Sequence, residues 1–281
     1  MPRPFSFDRE ELQELAAARQ DEYAAGQPFP HVVVDDFLPD GILDEVLSEF
    51  PSPQEDAWWR FESDNERKLA TRDEGRMGDA TRQLLAEFNS AAFVDFLEEL
   101  TGINGLVPDP HFEGGGLHQI VRGGHLNVHV DFNRHPRTGL DRRLNALIYL
   151  NRDWEEEYGG ALELWSRDQS RCEKRITPLF NRLVVFSTTE HSFHGHPEPL
   201  NCPEGRARKS MALYYYSNGR PEEGSASAPT HNTIWKAEPG DGAEPGDRDA
   251  RARRRLKTLV REVTPPVLLD AARAVRRRAR A

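Results

Sequence analysis

The fold predicted is α+β: a double-stranded β-helix (jelly-roll) core, N-terminal helices packed on one sheet, and a C-terminal helical tail. Three observations predict it. Helical patterns with one apolar side occupy most of the first hundred residues. Short strand patterns separated by Gly, Pro, Asn and Asp turns then run from 106 to 217. A chain of 281 residues with 37% hydrophobic and 30% charged content has room for a sizeable core and no extreme bias.

Asp8 is placed to cap a helix over 9–23, which Pro28 and Pro30 end. Residues 31–37 are β-rich. A second amphipathic helix over 40–50 carries Ile42, Leu43, Val46, Leu47 and Phe50 on one side. Residues 51–77 read as irregular, a surface loop that packs Trp58 and Trp59 down, with substrate contact as the second reading. Two helices follow over 79–101, broken near Asn89 and Ser90. Strands are expected over 117–121, 125–131, 144–151, 161–165, 175–178, 182–187, 191–196 and 209–217. The organisation is then a helical support region (1–105), a catalytic jelly roll (106–217), a Gly/Pro/Glu/Ser-rich connector (218–250) and a basic helical tail (251–281).

No run of eighteen apolar residues offers a transmembrane helix, and the N-terminus MPRPFSFDREELQEL lacks an apolar signal core. Cys172 and Cys202 make no disulfide framework, so a reducing, cytoplasmic location is expected. Residues 250–281 hold eleven Arg or Lys against two acids, a net of +9 in a chain of net −10. The remaining body, at −19, is a poor nucleic-acid binder. The tail is expected to dock on that acidic body. The second reading is a basic amphipathic anchor for an anionic membrane surface or an acidic partner, the membrane case being weakened by a short stripe without Trp or Phe.

The stretch 123–131, GGHLNVHVD, is the centre of the chain's chemistry. Alternation along a strand puts His125, Asn127, His129 and Asp131 on one face. Four polar groups on one side are costly to bury unless they bind something. His129-x-Asp131 offers an imidazole and a carboxylate from one rigid element. A third ligand would complete the two-His-one-carboxylate face used by non-haem Fe(II), which leaves positions open. His191, His194 and His196 in EHSFHGHPEPL are the candidates. His194, beside Gly195, is preferred, with His196 the fallback on the same strand face. Further on, Arg206, Arg208 and Ser210 alternate onto one face, and an Arg with a Ser two residues along can hold a carboxylate.

The order of these parts resembles the 2-oxoglutarate- and Fe(II)-dependent oxygenase superfamily, and within it the prolyl-4-hydroxylase-like group. The segments RRLNALIYLNRDWEEEYGG, NRLVVFSTTEHSFHGHPEPL and PFPHVVVDDFLP carry the resemblance, which spans roughly residues 28–217. It implies iron ligands His129, Asp131 and His194, and an anchor for the distal carboxylate of 2-oxoglutarate at Arg208 with Ser210. It implies a pocket-lining role for Asn145. Fe(II), 2-oxoglutarate and O2 are the implied cofactors, with ascorbate a further candidate. The carboxylate of Asp131, where halogenating relatives have a small residue, implies hydroxylation ahead of desaturation. One departure stands out: the Tyr that the group commonly places nine residues before the first ligand is Ile120 here, with His118 and Arg122 on the same face as substitutes. The function expected is a dioxygenase hydroxylating a protein side chain, amino acid or small metabolite with release of succinate and CO2. The alternative is a non-catalytic jelly roll with a structural or regulatory metal.

Overall fold

A computed structural model describes residues 5–39, 41–220 and 229–236. Among the described residues there are four α-helices: α1 (Arg9–Ala25), α2 (Ile42–Ser48), α3 (Asp79–Phe88) and α4 (Ala91–Thr101). Asp8 does cap α1, its carboxylate accepting from the Glu10 and Glu11 amides at 2.8 and 3.1 Å. Gly102, in the left-handed region, closes α4 with its N–H on Glu98 O.

The strands are β1 (His31–Val34), β2 (Trp59–Glu62), β3 (Glu66–Thr71), β4 (Val107–Pro108), β5 (Gly116–Val121), β6 (His125–Val130) and β7 (Asp141–Tyr149). They continue with β8 (Leu162–Trp165), β9 (Cys172–Ile176), β10 (Leu183–Ser187), β11 (His194–His196), β12 (Ala207–Ser217) and β13 (Ile234–Trp235). The hydrogen-bonded order is β1-β10-β7-β12-β5-β3-β6-β11-β8-β9, antiparallel throughout. It curls on itself because β3 pairs with β5 through 69–71 and with β6 through 66–67. Two facing sheets result, as expected of a jelly roll.

Each sheet has an inner and an outer side, and the sequence alternates accordingly. On β7 and β12 the outer residues Leu144, Ala146, Ile148, Met211, Leu213 and Tyr215 are buried with Phe88, Phe93, Phe96 and Leu97 from the helices. Phe93 sits at the middle of this layer, 4.8 Å from the Phe88 ring and 6.0 Å from Tyr215. Tyr215 ties the layers by donating its hydroxyl to Phe88 O at 2.8 Å. Inside, Tyr149, Leu162, Leu164, Ile176, Val184 and Phe186 form a second apolar cluster.

Two expectations are corrected. Residues 51–77 are not irregular: β2 and β3 form a hairpin that joins both sheets. β2 is largely exposed, and β3 is charged at 66–68 and buried only at 69–71, so the pattern lacks the apolar alternation that marks a half-buried strand. Trp58 packs down as expected, but Trp59 stays exposed. The segment read as a connector supplies β13, which pairs Ile234 with Val130 and Trp235 with His129. The remaining connector positions at 221–228 and 237–250 and the basic tail lie outside the described residues, as does Asp40.

Truncating Phe93 to Ala should cost roughly 3–5 kcal/mol, because its fully buried ring packs against Phe88, Phe96 and Tyr215 where the helices meet the sheet. Equilibrium urea unfolding measures it, and a loss under 1 kcal/mol would contradict this packing.

Candidate metal centre

Two β-bulges determine which side chains face the interior. His194 on β11 pairs with His129, but His196 pairs with Leu126, so β6 spends three residues where β11 spends two. The extra residue reverses the alternation. His129 therefore shares the inner side with Leu126, while His125 and Asn127 turn to the hairpin, where both contact Asp64 O at 3.2 and 3.1 Å. The expectation of four polar groups on one face fails for those two, and only His129 and Asp131 reach the site. The second bulge lies in β7, where Tyr215 pairs with Leu144 but Tyr216 with Arg142. It puts Arg142 beside Asn145, three residues on.

His129, Asp131 and His194 come together, with one ligand atom from each lying within 4.8 Å of the others. His129 Nδ1 is 2.9 Å from Asn127 O and His194 Nδ1 is 2.9 Å from Ser192 O. A carbonyl only accepts, so both Nδ1 atoms carry the proton and both Nε2 atoms present lone pairs. Those lone pairs face the Asp131 carboxylate at 3.6 and 3.4 Å. Three acceptors facing one another repel unless a cation lies between them. Two nitrogens and one carboxylate oxygen, each with its outer atom already tied, fit a divalent metal of the Fe(II) type. Gly195 permits the close approach of β11 to β6, since a Cβ there would meet Leu126 O at 2.8 Å and Asn127 O at 2.9 Å.

The carboxylate is held from behind. Asn145 Nδ2 donates to Asp131 Oδ2 at 2.8 Å, and Arg142 lies 3.1 Å from the same oxygen. Arg142 also donates to Asn145 Oδ1 through Nε at 3.1 Å and Nη2 at 2.7 Å, which fixes the amide's orientation. Its guanidinium is stacked 3.5 Å from the Tyr214 ring centre and 4.6 Å from that of Phe132. Burial alone would raise the Asp131 carboxyl, but the Arg142 guanidinium beside it leads the groups that hold it well below the ordinary carboxylate value. Burial, partly offset by Asp131, pushes His194 down to about 4. Asp131 and His194 thus sit in protonation states that can hold a metal at neutral pH.

Deeper inside, Arg208 and Ser210 on β12 face inward with Tyr149 of β7, Ser210 pairing with Tyr149 in register. Arg208 is buried, donating Nε to Gly160 O at 2.7 Å and Nη2 to the Tyr149 hydroxyl at 3.1 Å. Gly160 has φ +71°, and a Cβ there would meet Arg208 Cδ at 2.9 Å, so glycine lets the arginine lie against the chain. His196 is buried on the same side, and burial with Arg208 and Lys68 nearby drives its pKa well below the ordinary imidazole value. Of the two substitutes for the missing tyrosine, His118 lines the cavity before the metal centre, whereas Arg122 turns away to the carbonyls of Asn201 and Cys202. Arg206 is tied to the carbonyls of Arg152 and Asp153, outside the interior. His191 lies at the surface against Arg167.

A cavity of about 270 Å³ leads from His129 and Asp131 to solvent, walled by Trp59, Phe61, Phe132, Tyr214 and Trp235. The Trp235 ring is 5.1 Å from His129. Sequence reasoning missed Arg142, Tyr149 and Trp235. Strict alternation groups Arg143, not Arg142, with Asn145, and only the bulge reverses this. Tyr149 sits on the Asn145 face by simple alternation and was findable on that ground.

Residues 115–216 match the family profile described as the 2OG-Fe(II) oxygenase superfamily. The mouse prolyl 3-hydroxylase OGFOD1 is 27% identical over 199 residues, 67% of this chain and 33% of that protein. Its Xenopus laevis counterpart is 30% identical over 97 residues, 32% of this chain and 19% of that protein. The chain thus spans a third or less of the curated relatives it matches. A Trichoplax adhaerens prolyl hydroxylase, solved with a hypoxia-inducible-factor peptide fragment, shares the fold with TM-score 0.56 at 17% identity, covering 77% of this chain and 96% of that one.

Asn145→Ala should weaken Mn(II) binding about 10–100-fold by releasing the Asp131 carboxylate, as loss of such outer partners does. Isothermal titration of the purified variant measures it. Affinity equal to that of the parent would remove Asn145 from the centre.

Proposed function

We propose that this chain, which carries a 2OG-Fe(II) oxygenase domain over residues 115–216, is an Fe(II)- and 2-oxoglutarate-dependent hydroxylase with His129, Asp131 and His194 as its metal ligands. The observation that carries the reading is the pairing of that three-acceptor cluster with a buried arginine, Arg208, on the inside of the same barrel. A metal alone would require only the first. A dicarboxylate cosubstrate requires both, one end near the metal and the other on a fixed cation.

Bound Fe(II), 2-oxoglutarate and O2 supply the oxidising chemistry, with succinate and CO2 as co-products and one oxygen atom added to the substrate. The protein's share is orientation and shielding. The Nδ1–H bonds of His129 and His194 to backbone carbonyls hold the two imidazoles in one tautomer. Arg142 and Asn145 keep the Asp131 carboxylate ionised and directed. Tyr149, tied to Arg208, extends the polar end of the pocket, and Ser210 lies beside it. Val184, Phe186 and Leu164 keep the surroundings apolar. Asn145, which the resemblance puts in the cosubstrate pocket, serves the metal carboxylate in this reading.

The substrate is proposed to be a residue of a peptide or protein, with proline first in line because the similar proteins are named prolyl hydroxylases. The cavity supports this. Its volume of about 270 Å³ suits one inserted side chain better than a large metabolite. Its aromatic wall offers flat apolar faces to a saturated ring. The test is succinate release from the Fe(II)-loaded protein given 2-oxoglutarate and proline-containing peptides, with mass spectrometry for one added oxygen. Failure to consume 2-oxoglutarate under any of these conditions would favour a non-catalytic metal site.

Arg208→Ala should raise the 2-oxoglutarate concentration required by about one to two decades, because a charge-assisted bond to a carboxylate contributes roughly 1.5–3 kcal/mol. Arg206→Ala should leave it unchanged. The reverse order would move the anchor to Arg206.

A further inference from the structure

His196 has no part in the metal centre as described, and its surroundings do not explain it. It is 3% exposed, and both ring nitrogens are buried without a hydrogen-bond partner among the described residues. A buried imidazole leaves one donor and one acceptor unsatisfied in that position, a cost that an apolar side chain of similar size would not incur. The ring's direction follows from the strand. On β11, His194 pairs with Leu164 and Gly195 with Glu163, so the next residue continues toward Leu162. Leu162 and Leu164 both belong to the inner apolar cluster that contains Tyr149. His196, two residues after His194, is therefore on the same inner side. His194 faces the metal, and His196 lies one step deeper, toward the Tyr149–Arg208 end.

We propose that His196 is a binding residue for 2-oxoglutarate, donating a ring N–H to the distal carboxylate that Arg208 holds. This rests on the oxygenase reading and deepens it. Arg208 has spent Nε on Gly160 O and one Nη2 proton on Tyr149, which leaves three of its five N–H groups for a carboxylate with four lone-pair sites to fill. A second donor from the opposite sheet completes the cradle. The cosubstrate would then bridge β12 of one sheet and β11 of the other. It would also satisfy the ring that is otherwise left without partners. The same His194–His196 spacing couples the two functions: one short strand, fixed by Gly195, presents a metal ligand and a cosubstrate ligand side by side.

The test is direct binding of 2-oxoglutarate to Mn(II)-loaded protein by isothermal titration, which needs no turnover. The parent, His196→Val, His196→Leu and His196→Gln are compared, each first titrated with Mn(II) alone. The expected result is unchanged Mn(II) affinity in all three variants. For 2-oxoglutarate, affinity should fall about tenfold or more in the Val and Leu variants, consistent with loss of one hydrogen bond to a charged group. The Gln variant, which restores an N–H, should recover part of it. Parent-like 2-oxoglutarate affinity in the Val and Leu variants would overturn the inference and leave the oxygenase reading standing. Loss of Mn(II) binding in those variants would overturn it by making His196 part of the metal side. A parent protein that binds Mn(II) but no 2-oxoglutarate would remove the oxygenase reading itself.

Discussion

The buried negative charge of Asp131 is the constraint on which the rest of the site depends. A carboxylate enclosed in a barrel is stable only when paired and hydrogen-bonded. Here the pairing comes from three directions. Arg142 and Asn145 reach it from β7, and the imidazoles of His129 and His194 face it from β6 and β11. Only the first pair satisfies it in the usual sense. The imidazoles direct lone pairs at it, an arrangement that focuses negative potential between the three side chains. That asymmetry makes the cluster a cation site and not a plain ion-pair network.

The two bulges exist in service of this arrangement. Regular strands would send Asn127 inward in place of Leu126, and Arg143 in place of Arg142. One added residue in β6 and one in β7 realign the faces. The rest of the fold then works as a clamp. The aromatic layer under β7 and β12 holds the sheet that carries Arg142, Asn145, Tyr149 and Arg208. The hairpin β2–β3 and strand β13 hold the opposite sheet at its open end, where Trp59 and Trp235 frame the entrance.

Much of this was legible in the sequence, for identifiable reasons. The helices have long apolar stripes and a recognisable cap at Asp8, and most of the jelly-roll strands are bounded by turn residues. His129, Asp131, His194, Arg208 and Ser210 stand in an order that resembles the 2OG-Fe(II) oxygenases, and the structure brings all five to the barrel interior. What was not legible depends on pairing partners. The hairpin β2–β3 is polar because its faces meet solvent and the cavity. A bulge leaves no local mark, so Arg142 looked like a neighbour of no consequence. Strand β13 is two residues long and owes its existence to the edge of β6.

The central claim is that Asp131 and the two histidines hold a metal that turns over 2-oxoglutarate. Its most direct measurement is succinate formed per protein molecule, under Fe(II) and 2-oxoglutarate in air, for the parent and for Asp131→Ala, His194→Ala and His191→Ala. The account predicts succinate from the parent and from His191→Ala, and none above background from the other two. Equal succinate from Asp131→Ala and the parent would contradict it.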